Sequence, residues 1–209
     1  MSVSEALARG LEELQLVLPS DGHAKLVRYL ALIEKWNRVY NLTAVRRVDD
    51  MISHHVLDSL AVAPHVQGAT LLDVGSGAGL PGIPLAIARP GMAVTLLESS
   101  HKKSAFLNQA VIELELANAQ VVNARAESWQ PPQPYDVVIS RAFSDLAEFL
   151  ALAGRFCATG GVLAAMKGVH PYEELAQVHA PFETSAVIPL KVPGLTAERH
   201  LVLIRSRGT

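Results

Sequence analysis

Hydrophobic residues in the first third of the chain recur at the spacing of one helix face. Leu26, Leu30 and Ile33, for example, are separated by four and three positions, which is typical of an amphipathic helix. Residues that begin or end helices, such as Asp21, Pro19 and Pro64, divide this part of the chain. We therefore predict three helices, at residues 2–16, about 21–39, and 49–63.

From residue 70 onwards, short apolar runs alternate with helical stretches. The predicted strands are residues 70–74, 93–97, 119–122, 135–139 and 162–166, and the predicted helices between them are residues 82–89, 101–116 and 144–156. Strands that alternate with helices form right-handed crossovers and a mostly parallel sheet. Gly160 and Gly161 are expected to lead into the fifth strand.

The end of the chain departs from this alternation. Two strand-like runs, residues 185–190 and 200–204, are separated only by the loop KVPGLTAER. A connection this short cannot make a parallel crossover, so we predict an antiparallel hairpin at the edge of the sheet. The predicted fold is α/β, with a mostly parallel seven-stranded sheet in residues 67–209 and an N-terminal helical extension, residues 1–66, packed on it.

Composition narrows the class of protein. Half of the 209 residues are hydrophobic, enough for one sizeable core, and the formal net charge is −2, so no strongly basic surface indicates broad nucleic-acid binding. A local basic patch remains compatible with that balance. The single cysteine, Cys157, lies in an apolar stretch that we interpret as helical, and we expect it in the core. Without a long apolar run or a signal-peptide pattern, we expect a soluble cytoplasmic monomer.

The segment LLDVGSGAGLPGIPLA, residues 71–86, joins the first predicted strand to a helix through a glycine-rich turn. Alternate glycines let the backbone approach a ligand where the helix N-terminus offers free N–H groups. Read from Gly77, the turn matches the GxGxxG pattern of dinucleotide-binding folds. Read from Asp73 through Gly75, Gly77 and Gly79, it resembles motif I of the Rossmann-like S-adenosylmethionine (SAM) methyltransferases.

Polar residues follow three further strands, at the edge where ligands of open α/β sheets bind. Glu98 can accept hydrogen bonds from both ribose hydroxyls of NAD or SAM, or it can cap the helix that begins near residue 101. Ala126 and Glu127 lie where such methyltransferases contact adenine, although Glu127 can equally be a surface acid. Arg141 ends the fourth strand, and its alternative role is an ion pair with Asp73 or Glu98.

Several segments together resemble the bacterial small-subunit rRNA guanine-N7 methyltransferases, the RsmG or GidB family. They are KWNRVYNLTAV (35–45), HVLDSL (55–60), DVGSGAGLPGIPLAI (73–87), VISRAF (138–143), MKG (166–168) and KVPGLTAERHLVLI (191–204). The resemblance covers almost the whole chain and implies SAM-dependent methylation of guanine 527 in 16S rRNA of the 30S subunit or its precursor. By position it implies SAM contacts at Gly75, Leu80, Ala126, Glu127 and Arg141. Glu98 departs mildly from the family, in which Asp is frequent at this position.

The reaction that the resemblance implies requires few catalytic groups from the protein. Guanine N7 has a lone pair and no proton to lose, so attack on the SAM methyl group needs no general base, and catalysis comes from alignment. N7 must stay free, so we expect an arginine or lysine to hold guanine through O6. Arg141 and Lys167 are the candidates, although Lys167 can also be a strand-end lysine that extends into solvent.

RNA contacts are harder to place, because a single basic residue is more often only a surface charge. Phe143 can stack on an unpaired base or belong to the core. The candidates for phosphate contacts are Asn41, Arg46, Arg47, Lys102, Lys103 and Arg199. His54 and His55 are adjacent and have no third ligand at suitable spacing, so we predict no metal site. A hydrogen bond between His55 and Asp58 is expected instead.

Three other functions are compatible with the glycine loop. An NAD-dependent oxidoreductase would need a substrate domain with a proton-relay residue, for which the chain has no room. A SAM methyltransferase for another RNA base or for a small molecule would carry the same loop. A non-catalytic ribosome-binding module could keep the whole fold.

Overall fold

A sheet of seven strands forms the centre of the computed structural model, which describes residues 2–143 and 145–206. The strands are β1 (Thr70–Val74), β2 (Ala93–Glu98), β3 (Ala119–Asn123), β4 (Tyr135–Ser140), β5 (Cys157–Lys167), β6 (Phe182–Pro189) and β7 (His200–Ser206). Their order across the sheet is β3-β2-β1-β4-β5-β7-β6. Strands β1 to β5 are parallel, whereas β7 lies antiparallel to both β5 and β6. The predicted parallel sheet with an antiparallel hairpin at its edge is confirmed.

Helices cover both faces of this sheet. They are α1 (Val3–Glu13), α2 (Gly22–Tyr40), α3 (Val48–Met51), α4 (Asp58–Leu60), α5 (Gly82–Ala88), α6 (His101–Glu113), α7 (Leu146–Ala153) and α8 (Tyr172–Leu175). Leu71 of β1 is buried in a cluster with α1, α2, α5 and α6, and the next residue, Leu72, in a cluster with α7. Successive side chains of a strand point to opposite faces, so both faces are buried. None of the described helices is long and apolar enough to cross a membrane.

The N-terminal helices contact the part of the chain that carries the glycine loop. Helix α2 packs against α5 and α6. Trp36 meets Phe106 of α6 edge-on with 5.6 Å between ring centroids, so it attaches the extension to the rest of the chain. The buried hydroxyl of Tyr29 donates a hydrogen bond to the carbonyl oxygen of Ala78 at 2.5 Å. Helix α2 therefore supports the loop directly.

The predicted helix at residues 49–63 is not one continuous α-helix. It consists of α3, a π-helix at Ile52–Leu57, and α4. Hydrophobic spacing cannot distinguish α-helical from π-helical turns, because both bury one face. Short π-helical segments are rare and occur frequently at functional sites. Here the wider turns carry His54 and His55 and lead directly into Asp58.

The glycines at 160 and 161 lie inside β5, not before it. The pairing of β4 with β5 shifts register between Tyr135 and Val137, and Gly160 has a φ of 79°. Glycines therefore mark an irregularity within a longer strand, as they often do in sheets. The prediction that Cys157 is helical is wrong, since it begins this strand; it is half-buried against the α7 cluster, and burial raises its pKa to about 11.

Candidate active site

The glycine loop turns sharply between the end of β1 and the start of α5. Gly75, Gly77 and Gly79 all adopt positive φ angles, of 72°, 60° and 88°, which side chains with a Cβ rarely tolerate. The backbone N–H groups of Gly75 and Ser76 donate to the carbonyl oxygen of Leu97 on β2, at 2.9 and 3.1 Å. These bonds fix the loop over the carboxyl ends of β1 and β2.

Glu98 ties the loop to the following segment. Its carboxylate is buried, and its two oxygens accept separate hydrogen bonds, from the N–H of Gly77 at 2.9 Å and from the N–H of Ser100 at 2.8 Å. Ser100 is the N-cap of α6, so the alternative role of supporting that helix is also fulfilled. A carboxylate offers about four lone-pair sites, so Glu98 retains capacity to accept from a ligand hydroxyl.

Asp73 supports the loop from inside the core. Its side chain is fully buried, and Oδ2 accepts a hydrogen bond from the N–H of Gly82 at the start of α5, at 2.9 Å, while Oδ1 has no partner. Burial raises the pKa of Asp73 to about 7. Leu80 is likewise buried in the core. Both side chains therefore lie inside the loop, and the cofactor contacts expected at Asp73 and Leu80 stay predictions.

Four residues chosen from the sequence line one cavity of about 170 Å³ at this edge of the sheet: Gly75, Ala126, Glu127 and Phe143. Phe143 packs against Phe149, with ring centroids 5.4 Å apart. Phe143 therefore lines this first cavity and packs against the α7 cluster, as its core alternative expects, while its stacking on RNA stays a prediction.

Arg155 was missed by the sequence analysis. Its guanidinium donates hydrogen bonds to the carbonyl oxygens of Ala126, Glu127 and Trp129 and so fixes the turn that forms one wall of the first cavity. Arg155 lies in the segment Gly154–Phe156, between α7 and β5. No motif marks it, because its partners are backbone atoms from a distant part of the chain.

A second cavity, of about 390 Å³, brings together Arg141, Lys167 and Arg199 with Asp58 and His55. Arg141 donates through Nη1 to the carbonyl oxygen of His54 at 3.1 Å and pairs with Oδ2 of Asp58 at 3.4 Å. The expected alternative, a pair with Asp73 or Glu98, is wrong. Arg141 thus lines the second cavity and is held by the N-terminal extension.

Asp58 is the other site residue that the sequence did not reveal as such. Its carboxylate is buried and receives two arginines, Arg141 on Oδ2 and Arg199 on Oδ1, the latter through Nε at 3.0 Å. Burial raises the pKa of Asp58, and the two guanidinium groups oppose that shift. The residue follows the π-helix directly, so the local backbone geometry sets where both arginines point.

Lys167 does not extend into solvent. Its side chain is 8% exposed, and Nζ pairs with Oε2 of Glu174 at 2.6 Å and donates to the carbonyl oxygen of Phe143. The strand-end alternative is therefore wrong. Lys167 forms part of the wall of the second cavity at the end of β5.

A family model described as GidB, rRNA small subunit methyltransferase G, matches residues 22–202. The chain belongs to this family. Ribosomal RNA small subunit methyltransferase G of Laribacter hongkongensis is 55% identical over 207 residues, covering 99% of this chain and 100% of that protein. The protein of the same name from Nitrosospira multiformis is 53% identical over 215 residues and is covered completely, as is this chain.

Solved structures of more distant proteins share the fold. The glycopeptide N-methyltransferase MtfA, complexed with S-adenosylhomocysteine, matches with a TM-score of 0.63 at 13% identity, covering 73% of this chain and 87% of that one. The O-methyltransferase TomG from Streptomyces achromogenes, complexed with SAM, matches with a TM-score of 0.62 at 17% identity over 100% of both chains. The Rossmann-like methyltransferase fold expected for this family is confirmed.

The remaining basic candidates lie outside both cavities of this family member. Arg46 donates to Oδ1 of Asn41 at 2.8 Å, and Arg47 forms long, exposed ion pairs with acidic residues of α3. Lys102 lies 5.9 Å from the ring centroid of Tyr40, and its neighbour Lys103 is the third residue of α6. Asn41, Arg46 and Lys102 lie by the C-terminal end of α2, and the RNA contacts of all these candidates stay predictions.

His55 does not bond to Asp58 as predicted. Its Nε2 shares a hydrogen bond with Oγ1 of Thr43 at 2.8 Å, and its Nδ1 is buried without a partner. The helical spacing of His55 and Asp58 does not hold in a π-helix, whose turns are wider. In the described residues, no three His, Cys, Asp or Glu side chains are grouped as ligands for one metal ion.

The burial of His55 predicts a pH dependence of folding. Burial lowers its pKa to about 4 from 6.5, so between those pH values the unfolded chain binds a proton that the native protein does not. Stability should therefore fall as the pH drops from 6.5 towards 4, by about 3 kcal/mol in total for this group. Urea unfolding of the wild type and of His55→Gln, at pH 7 and pH 4.5, measures the difference. The exposed residue His101 provides the control variant His101→Gln, and parallel curves for wild type and His55→Gln would contradict the prediction.

Proposed function

We propose that this chain transfers a methyl group from SAM to N7 of guanine 527 in 16S rRNA. The observation that carries the proposal is the arrangement of the two cavities around the end of β4, where Arg141 lines one and Phe143 lines the other. A donor held by the glycine loop and a base held by the basic residues would meet across this short turn. The names of the relatives support small-subunit rRNA as the substrate, and the molecules bound by the structural neighbours support SAM as the methyl donor.

We assign SAM to the first cavity together with the glycine loop and Glu98 beside it. A Cβ at Gly77 would meet only one atom within 4 Å, the carbonyl oxygen of Gly75, so the loop leaves open space beside its backbone. We assign the ribose hydroxyls to Glu98, which keeps free lone pairs, and the adenine to Ala126 and Glu127. When bound, SAM supplies an electrophilic methyl group on a cationic sulfonium.

The second cavity fits a guanine presented by its O6 edge. Arg141 and Lys167 carry N–H donors suited to O6, the acceptor next to N7. Because N7 has no proton, no residue is assigned as a general base. The task of Arg141 and Lys167 is to orient the base so that its lone pair faces the first cavity, and orientation of this kind can account for much of a rate enhancement.

Two measurements test the proposal. Calorimetric titration of the full chain with SAM should give a dissociation constant in the micromolar range or tighter. Borohydride and aniline cleavage of 16S rRNA should show an N7-methylguanine at position 527 in cells with the gene and none in cells without it. Failure to bind SAM excludes the enzyme class, whereas an unchanged cleavage pattern leaves a SAM methyltransferase with another substrate.

A further inference from the structure

An open cavity of about 510 Å³ adjoins the second cavity and shares Arg199 with it. We call the edge formed by Val169, His170 and Tyr172, which contains two aromatic rings, the aromatic rim. The rim follows Lys167 in the chain, so the end of β5 passes directly from one cavity to the other. Pro189, Leu190, Glu198 and His200 also line this cavity.

The rim presents aromatic surface that the fold itself does not use. The side chain of Tyr172 is 76% exposed and that of Val169 is 72% exposed. The imidazole of His170 lies against Tyr172 with 3.9 Å between ring centroids and 31° between ring planes. His170 in turn contacts His200 edge-on at 5.3 Å. One face of the Tyr172 ring is thus supported by a stacked pair, and the high exposure leaves its other face open.

We propose that the aromatic rim binds a second, unpaired nucleobase of the RNA, next to the guanine in the second cavity. The proposal rests on the proposed function, because a guanine can reach its pocket only after its loop is unstacked, and its neighbours then lose their stacking partners. A tyrosine whose back is held by another ring replaces that lost stacking for any base.

Charges along the cavity fit this occupant. Arg199 stands between the two cavities, held by Oδ1 of Asp58 at 3.0 Å, where it can contact the phosphate that links the two nucleotides. The carboxylate of Glu198, which also lines the cavity, can accept from an exocyclic amine of adenine, cytosine or guanine. A cavity lined by an arginine, an exposed aromatic ring and a single carboxylate suits a nucleotide better than the apolar side chains of a protein partner.

Kinetics with variants of Tyr172 test the proposal. In methylation of 30S particles with labelled SAM, Tyr172→Ala should raise KM for the particle about fivefold to a hundredfold, the range that loss of one stacked base produces. The dissociation constant of SAM should not change. Tyr172→Phe should behave as wild type, because stacking needs the ring and not the hydroxyl. Ile112→Ala removes a side chain of similar exposure, 70%, from α6 and should have no effect.

Ultraviolet cross-linking identifies the occupant. Irradiation of the catalytically competent complex with 30S particles, followed by mass spectrometry, should yield a peptide around Tyr172 that carries a ribonucleotide. A cross-link to a ribosomal protein instead would overturn the proposal, as would an unchanged KM for Tyr172→Ala. If one of these results is found while the wild-type protein still methylates guanine, only the proposal about the rim fails. If the wild-type protein has no methylation activity, the proposed function itself is refuted.

Discussion

Replacement of Arg141 by alanine is expected to slow methyl transfer to 30S particles about 100-fold or more at saturating SAM, with little change in SAM affinity. Arg141 lines the second cavity, where its guanidinium is fixed by the carbonyl oxygen of His54 and by Asp58. Loss of a positioning donor lets the guanine move, and a misplacement of about 1 Å can cost on the order of 100-fold in rate. Single-turnover measurements with labelled SAM give the rate, and calorimetry gives the affinity.

The matched variant is Arg141→Lys. Lysine keeps the positive charge but lacks the planar fork that contacts two acceptors at once, so the rate should stay well below that of wild type. Asp58 keeps Arg199 as a partner in both variants, and the urea midpoints should confirm that both are folded. A wild-type methylation rate for Arg141→Ala would refute the role of Arg141 in holding guanine. A large loss of SAM affinity would indicate that Arg141 contacts the cofactor instead.

The sheet could be predicted from sequence because its signals are local. Apolar runs of four or five residues separated by helical stretches specify parallel strands, and the short loop at 191–199 specifies the hairpin. Errors arose where one pattern has two structural solutions. Paired glycines can begin a strand or lie within one, as Gly160 and Gly161 do, and a helical hydrophobic spacing fits both an α-helix and the π-helix at Ile52–Leu57.

Candidate site residues could be predicted from the sequence only where they lie at the carboxyl end of a strand. Glu98 and Arg141 lie at the carboxyl ends of strands, where ligands of such sheets bind. Asp58 and Arg155 act from other elements, over sequence separations of 83 residues to Arg141 and 29 residues to Ala126. Nothing local in the sequence encodes such contacts, since they exist only once the N-terminal helices and α7 have packed on the sheet.

Asp73 shows that an acidic motif residue can support the loop from inside the core. An acidic residue before the glycines is a recognisable part of the loop, and its position suggests a direct bond to the cofactor. The structure buries it completely, with Oδ2 bonded to the N–H of Gly82. The carboxylate supports the turn and the start of α5. The acidic residue of the motif therefore stabilises the loop conformation, and through it the proposed ligand site.

Replacement of Glu98 by glutamine is expected to raise the dissociation constant of SAM about tenfold to a hundredfold. Each carboxylate oxygen accepts one backbone hydrogen bond, from Gly77 or from Ser100. Glutamine offers one acceptor and one amino group, so one of these N–H groups would face another donor. Losing a hydrogen bond to a charged acceptor costs about 1.5–3 kcal/mol, and the ribose would lose its negatively charged acceptor as well.

Glu98→Asp provides the control, because it keeps both acceptor oxygens on a side chain one methylene shorter, and it should bind SAM with intermediate affinity. Calorimetric titration compares the three proteins. At saturating SAM the methylation rate of Glu98→Gln should recover towards that of wild type, whereas the rate of Arg141→Ala should not, since the proposed function assigns Glu98 to the donor and Arg141, in the second cavity, to the acceptor. Two results would contradict this assignment of SAM to Glu98 and of guanine to Arg141. One is a wild-type dissociation constant of SAM in Glu98→Gln, and the other is a methylation rate of Glu98→Gln that stays low at saturating SAM.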